Sequence, residues 1–130
     1  TSLWLTKINS LDKSIKIAND LHMSTLSFSN TGKAYIISTE LKNQLHYLDS
    51  WGHPKNEVVL LESDNEFKTF NKKQISSTAP NVTNWLPTIE RQNSSSSIGY
   101  PIGFMFTSGE VGKNNTQMTS NSVYYGEILK

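Results

Sequence analysis

Strong helix formers are thin in this chain, and that restricts its fold more than any other feature. Alanine occurs only at positions 18, 34 and 79, while Ser, Thr and Asn recur throughout. Thr, Val, Ile, Tyr and Phe stand in short runs separated by Ser, Asn and Gly, the pattern of strands and turns. The sum predicts about eight short strands at fairly regular spacing, which favours a sandwich or small barrel.

Ser2 to Thr6 (S-L-W-L-T) reads as a first strand. Lys7 to Asp20 is mostly polar; Ile8, Leu11 and Ile15 keep helical spacing, so a helix fits there, and a long anchored loop fits equally well. Leu21 to Ser29 is a strand whose apolar parity changes, which a bulge near Ser24 reconciles. Asn30-Thr31-Gly32 turns the chain into the strand Ala34 to Leu41. Gln44 to Leu48 reads as a further short strand and Asp49 to Pro54 as a turn. Glu57 to Glu62 (E-V-V-L-L-E) is the most hydrophobic run and is expected in the centre of a sheet, with Ser63-Asp64-Asn65 turning the chain and Glu66 to Phe70 returning it. Asn71 to Ser97 reads as a long loop anchored by Trp85 and Leu86. Ile98 to Thr107 resumes strand character with Ile102, Phe104 and Phe106 on one face, Ser108 to Asn121 is a second polar loop, and Ser122 to Leu129 closes the domain.

The 130 residues suit a single domain, 1–130, with a modest core. Hydrophobic residues make up 35%, so burial between subunits would add stability that a lone copy lacks. A net charge of +1, with 18% charged residues, supplies no field to gather nucleic acid or an anionic membrane. No apolar stretch is long enough to cross a bilayer. There are no cysteines, which rules out disulfides and thiol chemistry and leans towards folding in a reducing compartment. The opening Thr1, in place of Met, reads as a processed product or a piece of a longer chain.

Catalytic patterns are missing. His22, His46 and His53 are scattered without metal-ligand spacing. Glu62, Asp64 and Glu66 alternate around a turn but lack the ligand count and glycine of a calcium loop. No G-x-S-x-G, P-loop or paired acid–base carboxylates occur. The expectation is a non-enzymatic domain with no metal and no cofactor. Asn81, Asn93 and Asn114 open N-x-S/T triplets, which matter only in a secreted protein. Trp4 and Trp85 are expected to pack in a core or subunit interface. Trp51 sits in a turn with Asp49, His53 and Lys55, where an exposed indole would suit a sugar or a protein anchor and a buried one would suit packing.

The order of these motifs resembles the adenovirus fibre heads. S-L-W-L-T is similar to the L-W-T signature at their shaft–head junction, placing residues 1–6 there. The strand from Leu21, the turn Asn30 to Lys33 and the strand from Ala34 follow in the family's order. Val58-Val59-Leu60-Leu61 with Asp64-Asn65-Glu66-Phe67 resembles its hydrophobic strand and turn. Ala79-Pro80-Asn81 with Trp85-Leu86-Pro87 resembles its proline-containing segment, and Val123-Tyr124-Tyr125 its closing strand. The resemblance implies an antiparallel β-sandwich of the trimeric fibre-head type. As a homotrimer on the virion surface, assembled in the host nucleus, it would bind a host cell-surface receptor, either a protein or a sialylated glycan. It would not bind nucleic acid or insert into a membrane.

Receptor contact is expected on the loop Lys7 to Asp20 and the Trp51 turn, with Asn9, Asp12, Lys13, Trp51 and His53 as candidates. Two alternatives stand beside this. One is another β-sandwich glycan-binding module, such as a phage fibre tip. The other is a filament subunit, because Leu48 to Pro54 resembles the D-P-W-G-x-P turn of type II secretion pseudopilins, which carry a long helix ahead of it.

Overall fold

The computed structural model describes residues 2–6, 13–29, 32–47, 54–76, 82–90, 102–111 and 118–128. Among them are nine strands and no helix: β1 (Ser2–Leu5), β2 (Ile15–Asn19), β3 (Leu21–Phe28), β4 (Ala34–Tyr47), β5 (Pro54–Ser63), β6 (Asn71–Gln74), β7 (Val82–Ile89), β8 (Ile102–Val111) and β9 (Met118–Ile128). They form a β1–β2 hairpin, a four-stranded sheet in the order β3-β4-β5-β6 and a three-stranded sheet in the order β7-β8-β9. Every pairing is antiparallel.

The middle sheet explains why its strands lack polar alternation. Successive side chains on a strand point to opposite faces. Tyr35, Ile37, Val58 and Leu60 point to one face and pack with Ile89, Ile102, Phe106 and Ile128 of the three-stranded sheet. Ala34, Ile36, Val59 and Leu61 point to the other and pack with Ile17, Leu21 and Phe67, with Leu3, Leu5, Ala18 and Phe70 at the margin. Both faces of β4 and β5 are therefore covered, and every residue from Ala34 to Glu40 and from Asn56 to Leu61 is buried. Each fully buried Val, Leu or Ile contributes about 1.5–3 kcal/mol. The all-β sandwich is thus built as layers, with the hairpin on one side of the middle sheet and the three-stranded sheet on the other.

Several expectations hold. E-V-V-L-L-E lies in β5, between β4 and β6. The bulge in β3 appears as a register shift between His22 and Thr25, where Met23 takes a φ of 50°. The β3–β4 turn closes with Ser29 N–H donating to Lys33 O at 2.8 Å, and Gly32 there has a φ of 86°, which glycine adopts without strain. Ile102 and Phe106 face the core with Phe104 against it.

Others are corrected. Ile15–Asn19, expected as helix or loop, is the strand β2, paired with β1 through Trp4↔Lys16 and Leu5↔Ile15. A short helical stripe gains little alone, whereas this hairpin covers the Val59–Leu61 face. Gln44 is not the start of a separate strand, because β4 runs on to Tyr47 past register shifts. Residues 66–70 turn rather than return, since Glu66 and Phe67 take φ values of 59° and 62°, and the return strand is β6. The expected loop from Asn71 contains both β6 and β7, and the one from Ser108 contains the end of β8 and the start of β9. Pro87 is tolerated because β7 is an edge strand with a bulge between Trp85 and Thr88. Leu86 is no anchor: it is 61% exposed.

One hydroxyl organises the β5–β6 turn. Ser63 Oγ donates to Thr69 O at 2.7 Å and accepts from the amides of Phe67 at 2.9 Å and Asn65 at 3.2 Å. This seats Phe67 in the second core. Ser63→Ala is expected to cost about 2 kcal/mol, chiefly by leaving the buried Phe67 amide unpaired, read as a lower urea midpoint at unchanged slope.

Candidate functional site

Of the residues proposed from sequence, Lys13 is exposed at the start of the described segment before β2, while Asn9, Asp12, Trp51 and His53 lie outside the described residues. Glu62 and Asp64 are engaged by a lysine: Lys33 Nζ lies 2.7 Å from Glu62 and 3.8 Å from Asp64. The hydrogen bond and charge of Glu62 hold that ammonium above its ordinary range, with Asp64 adding to it. No group of metal-ligating side chains occurs among the described residues.

Trp4 does not pack into the core of its own chain. It is 56% exposed on the outer side of the hairpin, with Lys16 Nζ 6.0 Å from its ring centroid. Leu3 and Leu5, of opposite parity, take the inward positions. β1 runs beside β3, the edge strand on which Met23, Leu26 and Phe28 are also exposed.

A second apolar surface lies on the face of the three-stranded sheet turned away from the core. Residues of β8 alternate between the two faces, so Ile102, Phe104 and Phe106 point inward while Gly103, Met105, Thr107 and Gly109 point outward. Register sets Glu127, Tyr125, Val123 and Asn121 of β9 beside these four, and Thr88 and Trp85 of β7 beside Met105 and Thr107. Met105 is 48%, Val123 69% and Tyr125 66% exposed.

Two glycines shape this face. A Cβ at Gly103 would come within 3.0 Å of the Tyr125 hydroxyl oxygen, and one at Gly109 within 2.5 Å of the Trp85 ring. Both rings therefore lie along the sheet over a residue that has no side chain. The Tyr125 hydroxyl donates to Glu127 Oε1 at 3.1 Å, which raises its pKa, and Glu90 Oε2 accepts from Gly103 N–H at 3.1 Å. On the other side of β9, Tyr124 stacks on Phe106 with centroids 5.5 Å apart, yet is itself 53% exposed. The edge strand thus shows aromatic surface on both faces.

Sequence reasoning placed Val123-Tyr124-Tyr125 in a strand but did not single them out. The available signal was three consecutive large apolar residues directly after the polar stretch Ser108 to Ser122.

Searches of protein-family models, curated proteins and solved structures find no match to this chain.

Proposed function

We propose that this domain is a fibre-head type attachment module, a non-catalytic homotrimer that binds a host cell-surface receptor from the virion surface. The observation that carries the reading is the pair of separate apolar surfaces on opposite outer layers of an all-β sandwich. Exposed apolar patches of this kind mark interaction sites. An attachment head needs two such surfaces, one for its sibling subunits and one for its receptor. The Trp4 side belongs to the opening S-L-W-L-T, so it is assigned to the siblings. The outer face around Met105, Val123 and Tyr125 is assigned to the receptor.

Light scattering on a sizing column tests the assembly. A particle of about three times the 14.6 kDa chain is expected, and a clean monomer at micromolar concentration would overturn the reading. In the trimer, Val123→Asp and Tyr125→Ala are expected to weaken binding to receptor-bearing cells at least tenfold, about 1.4 kcal/mol, with mass unchanged. If they dissociate the particle instead, the two surfaces have been assigned the wrong way round.

One observation favours a glycan-binding module as the second reading. Tyr125 lies over Gly103 and is 66% exposed, an open aromatic side chain of the kind a sugar stacks on, and binding in a glycan screen that Tyr125→Ala abolishes would select that reading. The pseudopilin alternative loses ground, since the residues ahead of the Trp51 turn form β2, β3 and β4 where such a protein needs a long helix.

A further inference from the structure

Among the described residues, three buried side-chain oxygens have no hydrogen-bond partner: Asn56 Oδ1, Glu57 Oε2 and Asn84 Oδ1. Glu57 points to the hairpin side of the middle sheet, and its Oε2 has Lys42 Nζ 3.4 Å away. The two asparagines point the other way. Asn56 shares the parity of Val58 and Leu60. Asn84 pairs with Ser108, which shares the parity of Phe106 and Ile102. Both amides therefore enter the space between the middle and three-stranded sheets.

Their other contacts bring them together. Asn84 Nδ2 donates to Asn56 O at 3.2 Å, and Asn56 N–H donates to Thr83 Oγ1 at 3.0 Å. Asn84 is 0%, Asn56 6% and Ser108 8% exposed. One end of the interlayer core is thus polar, with two acceptors left over. Reversing the Asn84 amide does not help, because it would break the bond to Asn56 O and set two carbonyl oxygens against each other. An unpaired buried carbonyl costs about 1–3 kcal/mol, so two of them at one end of the interlayer core call for a donor.

We infer that Asn56 and Asn84 hold one internal water, which donates one hydrogen to each Oδ1 and joins β5 to β7. Two acceptors match the two hydrogens of a single water, and the hydroxyl of Ser108 lies on the same side to complete its coordination. Buried waters typically make about three such bonds. The ligands offered here are neutral amide oxygens, and Glu110 of β8, which shares the parity of Ser108, is exposed at the margin, which suits water over a divalent cation. The inference is independent of the attachment reading.

A high-resolution crystal structure grown with rubidium salt tests it, together with oxygen-17 relaxation dispersion in solution. The expected result is a density peak without anomalous signal, about 2.7–3.0 Å from both Oδ1 atoms. One long-lived water should be present in the wild type and lost in Asn84→Leu and in Asn56→Leu. An anomalous rubidium peak would replace the water by a monovalent cation. No peak, amides paired with protein groups, or dispersion unchanged in both variants would overturn the inference. If neither variant folds, the wild-type density decides.

Discussion

Ile37→Ala is expected to destabilise the domain by about 3 kcal/mol. Ile37 is 0% exposed and packs in the main core with Tyr35, Val58, Leu60 and the inward residues of the three-stranded sheet. It sits on β4, which has strands on both sides and covered faces above and below, so the neighbours have little freedom to collapse into the space left. The loss combines the transfer free energy of the deleted carbons with the cavity they leave. A domain of this size is stable by about 5–15 kcal/mol in total, so a urea melt should show a large drop in midpoint. Met105→Ala, which removes a comparable volume from the exposed face, should stay within about 0.5 kcal/mol. Equal effects from the two changes would contradict the layer order described for β4 and β8.

Lys42→Ala is expected to cost about 2 kcal/mol at neutral pH, less than the loss of a fully buried pair because the lysine is partly exposed. Glu40 and Glu57 stand opposite each other across β4 and β5, and both are buried. Lys42 Nζ lies 2.5 Å from Glu40 and 3.4 Å from Glu57, and Lys72 pairs with the other oxygen of Glu40. Removing Lys42 takes away the cation that both carboxylates share. Burial pushes the Glu40 carboxyl up, but the hydrogen bonds and charges of Lys42 and Lys72 together hold it below its ordinary value of 4.5. A depressed folded-state pKa contributes stability above the unfolded value, and that contribution is lost as pH falls through the folded value. The penalty of Lys42→Ala should therefore shrink on acidification below that ordinary value. Urea melts of both proteins at neutral and acid pH check this, and a penalty constant with pH would show that the lysine acts through packing alone.

How far the fold could be read depends on where each strand lies. E-V-V-L-L-E was legible as a central strand because two-sided burial removes polar alternation, and β5 is buried on both faces. The β3 bulge and the turn at Gly32 were legible because parity and turn chemistry are local. The β2 strand was not, since Ile8, Leu11 and Ile15 suit a helix and only the Val59–Leu61 face makes a hairpin preferable. β7 was missed because Pro87 reads as a breaker until the strand is known to be an edge. The candidate site was less legible still. Val123-Tyr124-Tyr125 carries the same uninterrupted apolar pattern as Val58-Val59-Leu60-Leu61, yet β9 is an edge strand exposed on both faces at these three residues and β5 is enclosed.

What the sequence determined by itself is the all-β class, most of the strand runs and the turns between them. These follow from side-chain branching, residue parity and glycine φ, which act within a few residues. What only the tertiary structure decided is which strands end up at the edge, which apolar faces are covered, and where Asn56 and Asn84 meet. Those outcomes depend on pairings between residues far apart in the chain, and a local pattern contains no term for them.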